Sequence, residues 1–237
     1  MAPGSGSDPD DPDVNPDVNP DVSHWVRWHA PYEDPASGLS VRLRLVQDGV
    51  AEALRERPPG PISVISLCAG QGRDVIDVLA WHERAGDVRA LLVEQDPALV
   101  AFARDRAGAA AAGDRVSVIE GDASLARHYT PAVPADLVLV CGVFGNISAD
   151  DVAATVAAMP SFCAPGASVI WTRHRRPPDL TPAIRGWFAA AGFSERSFAA
   201  PEGYVLAVGR HQLVGAPAAS DPERRLFEFT GDGGLPA

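Results

Sequence analysis

The most informative stretch of this 237-residue chain is ISVISLCAGQGRD, at residues 62–74. Its first half is short, apolar and rich in β-branched residues, which is typical of a buried strand. Gly70 and Gly72 follow, and a helical pattern begins directly after them. Glycines allow a tight turn and a close approach of a ligand to the backbone, and the first turn of a helix offers unpaired N–H groups to an anion. The stretch therefore predicts a strand, a ligand-binding loop and a helix in succession.

Strand and helix patterns alternate on the C-terminal side of this loop. Short apolar runs predict these strands: Ile62–Leu67, Ala90–Val93, Val116–Ile119, Leu137–Val140 and Ser168–Thr172. Helical patterns follow most of them, which indicates right-handed βαβ units and a parallel sheet covered by helices on both faces. Ser194–Phe198 and Tyr204–Val208 flank a Pro-Glu-Gly turn and predict a terminal antiparallel hairpin. We therefore expect an α/β fold with a single doubly wound, mostly parallel sheet.

The chain divides into four segments of different composition. Residues 1–22 contain six Asp, repeated Pro and almost no apolar side chains, which predicts a disordered acidic tail. Residues 23–59 are expected to form an N-terminal helical or lid segment, and residues 60–214 carry the alternating core. Residues 215–237 form a loop-like tail, in which the alternation of Leu226–Phe229 predicts either a late strand or a packing segment.

One long helix is predicted within the N-terminal segment. Its apolar residues recur at helical spacing: Leu39, Leu43, Val46, Val50 and Leu54. Ser37 or Ser40 could cap its start, because a hydroxyl can accept a hydrogen bond from an amide of the first turn. The run Pro58-Pro59-Gly60-Pro61 is expected to end the helix.

Composition restricts the class of function. The net charge of −11 argues against a nucleic-acid or anionic-membrane partner, since both need a surplus of Lys and Arg. There is no apolar run of about 18 residues and no secretory signal pattern, so we expect neither a membrane span nor export. Cys68, Cys141 and Cys163 do not make a disulfide framework, which favours a reducing cytoplasm. No metal site is predicted.

Two further strand ends carry acidic residues that could bind a nucleoside. Glu94 ends the second strand, 24 residues after Gly70, where an acid can accept hydrogen bonds from ribose hydroxyls. Asp122 follows the third strand, where its carboxylate could accept from the amino group of adenine. Either acid could instead be a solvated strand-end carboxylate. A dinucleotide site would need a third glycine where Val75 stands, which disfavours nicotinamide and flavin dinucleotides.

Together, the glycine loop, Val-Glu-Gln-Asp-Pro at 93–97 and Glu-Gly-Asp-Ala at 120–123 resemble the class I S-adenosylmethionine (SAM)-dependent methyltransferases. The resemblance spans about residues 60–210. It implies a seven-stranded sheet of order 3-2-1-4-5-7-6, SAM as the cofactor and S-adenosylhomocysteine (SAH) as the product.

The resemblance also implies cofactor contacts. They are Ala69, Gly70 and Gly72 at the methionine end, Glu94 at the ribose, Gln95, Asp122 and Ala123 around the adenine, and Cys141 and Gly142 beside the methyl group. Ser66 and Cys68 depart from the family pattern, which usually has an acid and a glycine there. Asp74 or another residue is therefore expected to hold the amino group of the cofactor.

An aromatic segment before the core supplies candidates for catalysis. Methyl transfer is an in-line displacement, so an enzyme must align the acceptor and, where necessary, take its proton. His29 and Tyr32 are candidate bases, and Trp28 is a candidate substrate contact. The segment could close over the cleft as a lid, or its Trp residues could simply pack on the core.

Two loops after strands supply further candidate substrate contacts. Phe144 and Asn146 follow the fourth strand, and Asn146 could either bind a substrate or turn the loop. His174 follows the fifth strand within an Arg-rich run, which could meet an acidic substrate or remain a solvated loop.

The expected function is methylation of a small molecule by a cytoplasmic SAM-dependent enzyme, because no basic groove or second recognition domain is evident. One alternative is a non-catalytic cofactor-binding or interaction module of the same fold. Others are a different reaction of the same cofactor, such as aminopropyl transfer or cyclisation, and, least favoured, a nicotinamide oxidoreductase. The sequence does not indicate an oligomeric state.

Overall fold

The computed structural model describes residues 30–230. The predicted acidic tail, Trp28 and His29 lie outside the described residues. The strands are β1 (Ile62–Leu67), β2 (Val88–Glu94), β3 (Val116–Glu120), β4 (Ala135–Val140), β5 (Cys163–His174), β6 (Phe193–Ala199) and β7 (Leu206–Leu213). The α-helices are α1 (Gly38–Glu56), α2 (Arg73–Leu79), α3 (Pro97–Ala109), α4 (Ala149–Ala158) and α5 (Thr181–Ala190). None of the helices in this range is both long and apolar enough to cross a membrane.

The seven strands form one sheet in the order β3-β2-β1-β4-β5-β7-β6. The strands from β3 to β5 in this order pair in parallel, whereas β7 is antiparallel to both β5 and β6. The apolar residues of α1, α2 and α3 pack into one buried cluster, and those of α4 and α5 pack into a second. The strand order that the resemblance implied and the terminal hairpin that the sequence pattern predicted are confirmed.

The long N-terminal helix is also confirmed. Ser37 is its N-cap, because its Oγ accepts a hydrogen bond from Ser40 N at 3.1 Å. Val46, Val50 and Leu54 are buried, and α1 ends two residues before Pro58.

Two of the predicted strands, β5 and β7, differ most from the structure in their bounds. β5 begins at Cys163 rather than Ser168, because Cys163 pairs with Ala135 before an irregularity in the register. β7 runs to Leu213, beyond the predicted end at Val208. The second half of β7 has no apolar pattern, because Arg210 and His211 are polar although both are buried. Arg210 is 4% exposed and forms hydrogen bonds at 2.9 Å with both carboxylate oxygens of Glu56.

Leu226–Phe229 is a packing segment and not a strand. Leu226 and Phe227 are 3% and 1% exposed, and their backbone forms no ladder. Isolated bridges join Arg225 to Leu125 and Phe229 to Ile147. Of the two structures that the alternation predicted, the packing segment is the one found.

His211 on β7 is a buried histidine held among aromatic rings. Its ring stacks on Phe188 with centroids 4.5 Å apart, and its Nδ1 accepts a hydrogen bond from Trp171 Nε1 at 3.1 Å. Burial lowers the pKa of His211 to about 4, Glu195 opposes that effect and Arg185 adds to it. The imidazole is therefore neutral in the folded protein at pH 7.

Acidification should destabilise the folded state through His211. Its folded pKa of about 4 lies below the ordinary value, so the unfolded chain takes up the proton first and stability is lost as the pH falls from about 6.5 toward 4. We expect this residue alone to lower the free energy of unfolding by roughly 2 to 3 kcal/mol between pH 7 and pH 4.5.

Urea unfolding at these two pH values measures the effect. His211→Gln keeps an acceptor for Trp171 but does not titrate, so its loss of stability should be smaller than that of the unsubstituted protein. Equal losses in the two proteins would contradict this assignment.

Candidate functional site

A cavity of about 370 Å³ lies at the carboxyl ends of β1, β2 and β4. Its walls come from the glycine loop after β1, the end of β2, the loop after β3 and the start of the loop after β4. Two residues from the N-terminal part of the chain, Tyr32 and Arg42, also line the cavity. So does Phe229 from the C-terminal part. This is the edge at which ligands bind in open α/β sheets.

The glycine loop turns by left-handed backbone conformations. Cys68, Gly70 and Gly72 have φ angles of 50°, 55° and 69°. Ala69 and Gly70 line the cavity, whereas Gly72 does not. A Cβ at Gly72 would lie 2.5 Å from Ile76 Cδ1, so this glycine allows the loop to pack closely on α2. Of the three residues predicted at the methionine end, two therefore reach the cavity and the third supports the loop.

Glu94 connects the glycine loop to the end of β2. One carboxylate oxygen accepts a hydrogen bond from Gly70 N at 2.7 Å, and the other accepts from Gln95 N and Asp96 N at 2.8 and 2.9 Å. The residue is 9% exposed and lines the cavity. A carboxylate has about four acceptor positions, so three amides leave capacity for a ligand hydroxyl.

The residues predicted around adenine separate into two groups. Gln95 and Ala123 line the cavity, together with Leu99 from α3. Asp122 does not line it, since its carboxylate accepts hydrogen bonds from Ser124 N, Ser124 Oγ and Arg225 Nη1 at 2.9, 2.7 and 3.0 Å. Burial acts to raise the pKa of Asp122, but these hydrogen bonds outweigh it and lower that pKa. Asp122 therefore stabilises the loop that carries Ala123.

Cys141 and Gly142, predicted beside the methyl group, both line the cavity. Gly142 has a φ of 76° and donates its N–H to Thr172 Oγ1 at 2.9 Å. A Cβ there would meet nothing within 4 Å, so the cavity is open at this point. Burial raises the pKa of the Cys141 thiol well above its ordinary range, and Asp74 adds to the rise.

A polar cluster of Tyr32, Arg42 and Asp74 forms another part of the cavity wall. Arg42 Nη2 donates to Tyr32 Oη at 2.7 Å. Burial raises the pKa of the Asp74 carboxyl, and Arg42 opposes that rise. Arg42 was missed by sequence reasoning because it belongs to no motif. The only signal is its place on α1, on the helix that follows the predicted aromatic segment.

Tyr32 does reach the cavity, but its ionisation argues against the predicted role as a base. Burial raises the pKa of its phenol above the ordinary value, although Arg42 acts in the opposite direction. A group that holds its proton this firmly is a poor general base near neutral pH. Tyr32 is therefore a hydrogen-bonding residue of the cavity wall, and of the two predicted bases it is less favoured than His29.

Arg73 connects the N-terminal segment to the glycine loop. Its guanidinium carbon lies 5.2 Å from the centroid of the Tyr32 ring, a cation–π distance. Its Nη2 is 3.2 Å from a carboxylate oxygen of Glu33, and its Nε donates to Gln71 Oε1 at 2.6 Å. The part of the predicted lid that the structure describes therefore covers one side of the cavity.

The predicted substrate contacts after β4 and β5 do not line the cavity. Phe144 is fully buried, with its ring centroid 6.2 Å from that of Trp171. Asn146 donates its side-chain amide to Gly142 O at 2.7 Å, so it turns the loop. His174 lies against Gly145, and burial, with help from Arg173 and Arg176, lowers its pKa. These three side chains have structural contacts and do not reach this cavity, and their roles as substrate contacts, like those of Trp28 and His29, stay predictions.

No family model and no curated protein sequence matches this chain. Solved structures do match it. Magnesium protoporphyrin IX methyltransferase from Synechocystis PCC 6803, with bound SAM, is 15% identical at a TM-score of 0.61, over 79% of this chain and 90% of that one. An O-methyltransferase family protein from Burkholderia thailandensis is 20% identical at a TM-score of 0.53, over 73% of this chain. This chain spans 57% of the length of the Burkholderia protein.

A precorrin-6y C5,15-methyltransferase from Geobacter metallireducens GS-15 is 13% identical at a TM-score of 0.52, over 70% of this chain and 86% of that one. At such identities the likeness establishes the fold alone. The chain has the fold of the class I SAM-dependent methyltransferases, as the resemblance of its sequence implied.

The thiols should be unreactive in the folded protein. Burial raises the pKa of Cys68 and Cys141 well above the ordinary range and that of Cys163 to about 12. Because the thiolate is the reactive form, we expect reaction with a disulfide reagent at pH 8 to be at least about 100-fold slower than for an exposed cysteine. After unfolding in guanidinium, all three cysteines should react rapidly. Fast labelling of Cys68 or Cys141 in the native protein would contradict this description.

Proposed function

We propose that this protein is a SAM-dependent methyltransferase that acts on a small molecule. The observation that carries the proposal is the hydrogen bonding of the Glu94 carboxylate to Gly70 in the wall of the cavity. It brings an acceptor for ribose hydroxyls directly beside a glycine loop that offers close backbone approach. The cavity volume of about 370 Å³ lies within the usual range for small-ligand sites.

The groups around the cavity fit the parts of SAM. Leu99 and Ala123 offer apolar surface for the adenine, and Glu94 offers acceptor capacity for the ribose. The Asp74 carboxyl and the Arg42 guanidinium suit the ammonium and the carboxylate of the methionine part. Ser66, which stands where the family usually has an acid, is 2% exposed within β1 and so is a poor candidate for this contact.

When bound, SAM supplies a methyl group already activated on a sulfonium. The protein's own residues must then align the acceptor and exclude water. Gly142 leaves space beside the methyl position, and Tyr32, held by Arg42 and Arg73, covers the cavity from the N-terminal side. Among the cavity-lining residues within 30–230 there is no histidine. His29 therefore stays the predicted base, outside the described residues.

A small acceptor fits the net charge of the chain and the size of the cavity better than a polymer does. The net charge of −11 disfavours a nucleic-acid substrate, because phosphate contacts need a basic surface. The walls of the cavity are formed by short segments of one domain. Cys68, Cys141 and Cys163 are free thiols, which fits the reducing cytoplasm expected from the sequence, and we include that compartment in the proposal.

A non-catalytic binding module is the second candidate. It is favoured by the lack of a histidine, the usual general base, among the cavity-lining residues within 30–230. In that case the cavity would hold SAM or SAH without presenting a methyl group to any acceptor.

Isothermal titration with SAM and SAH, and with NADH as a control ligand, tests the proposal. We expect both adenosyl ligands to bind and NADH not to bind. Glu94→Gln removes the charge and one acceptor oxygen, so it should weaken SAH binding by about 10-fold or more, since a charge-assisted hydrogen bond is worth about 1.5–3 kcal/mol.

Glu120→Gln is the matched control. Glu120 is the register partner of Glu94 on β3 but is exposed and does not line the cavity, so this variant should bind SAH normally. Equal affinities of the Glu94 and Glu120 variants would reject the site assignment. Binding without transfer of labelled methyl groups to any small molecule of a cell extract would favour the non-catalytic module.

A further inference from the structure

The last ten described residues, 221–230, form a C-terminal strap along the cavity edge of the sheet. The strap is fixed first to the loop after β3, where Leu226 N donates to Ser124 O at 2.8 Å and Ala126 N donates to Arg224 O at 3.0 Å. A second attachment is to α4, where Thr155 Oγ1 donates a hydrogen bond to Leu226 O at 2.8 Å. These bonds, with the burial of Phe227, hold its course over the core.

The far end of the strap joins the loop after β4. Phe229 forms a bridge with Ile147, and both the N–H and the hydroxyl of Thr230 donate to Asn146 O at 3.1 and 3.2 Å. The strap therefore connects the loop that carries Ala123 with the loop that begins at Gly142. Both of those residues line the cavity.

Phe229 is the strap residue that lines the cavity. Its side chain is 43% exposed, although its ring packs edge-on against the buried Phe227 with centroids 5.3 Å apart. An aromatic ring that is supported on one side and open to a cavity on the other offers a flat apolar surface. Leu99 and Ala123 supply further apolar surface in the same cavity.

Arg225 fixes the strap next to this surface. Its Nη1 lies 3.0 Å from Asp122 Oδ2 and 2.7 Å from Ser124 Oγ. The pair is partly exposed, with 46% and 34% of the two side chains accessible, so its worth for global stability is small. Its effect is local, because it sets the strap against the loop that holds Ala123.

We propose that the C-terminal strap is part of the ligand site, and that Phe229 contacts the purine of the bound adenosyl ligand. Arg225 acts as a positioning residue for this contact. The inference rests on the proposed function and adds to it a recognition element that belongs to none of the sequence motifs. A purine is the part of the ligand that a flat apolar ring recognises best, since stacking needs two π faces.

Titration of the full chain with SAH, SAM and 5′-methylthioadenosine tests the contact. Phe229→Ala should weaken binding of all three by about 10-fold and by similar factors, because stacking on a base typically contributes that much and all three share the adenosine. Phe229→Tyr keeps the ring and should stay within about 3-fold of the unsubstituted protein. Arg225→Gln should show a smaller loss of the same pattern.

Phe102→Ala is the matched control, because Phe102 on α3 is 48% exposed and does not line the cavity. Its affinity for SAH should be unchanged. Limited trypsin digestion gives a second readout on the unsubstituted protein, since Arg224 and Arg225 lie within the strap. SAH should slow cleavage at these two sites.

The outcomes separate this inference from the proposed function. If the unsubstituted protein binds SAH and Phe229→Ala binds it equally well, the strap is not part of the site although the proposed function stands. If Phe229→Ala loses affinity for SAH but not for 5′-methylthioadenosine, the ring does not contact the purine and the inference is wrong. If the unsubstituted protein binds none of the three ligands, the proposed function fails and this inference fails with it.

Discussion

The carboxylate of Glu94 forms the hydrogen bonds on which the geometry of the whole site depends. It accepts one backbone N–H from the glycine loop and two from the residues that lead into α3. Two sequence motifs 24 residues apart, at Gly70 and Glu94, are thereby held against each other at the carboxyl edge of neighbouring strands. A buried carboxylate would be costly without such partners, so the loop and the acid stabilise each other.

The parallel strands could be predicted from the sequence because they are short apolar runs separated by residues typical of loops. β1 lies at its predicted bounds, Ile62–Leu67. β7 could not be bounded in the same way, because Arg210 and His211 look like surface residues in sequence. Their burial depends on partners far along the chain, namely Glu56 on α1 and Trp171 on β5. Long-range pairing of this kind leaves no local pattern.

The residues of the candidate site could also be predicted only where the local sequence has a recognisable pattern. Ala69, Gly70, Glu94 and Ala123 could be named because each belongs to a motif at the end of a strand. Arg42 and Phe229 could not, since one comes from a helix before the sheet and the other from a segment after it. The two ends of the described chain thus converge on a cavity that the central motifs define. Asp122 differs from these residues, because its motif suggests a ligand contact but the residue does not line the cavity, and Ser124 and Arg225 hydrogen-bond to its carboxylate.

A crystal structure of the protein with SAH would show whether Glu94 and the glycine loop bind the ligand. We expect the ligand in the cavity at the carboxyl edge, with ribose hydroxyls hydrogen-bonded to Glu94 and the methionine part beside Ala69 and Gly70. Saturating SAH bound elsewhere, or a cavity that holds only solvent while Glu94 keeps its three backbone partners, would contradict it.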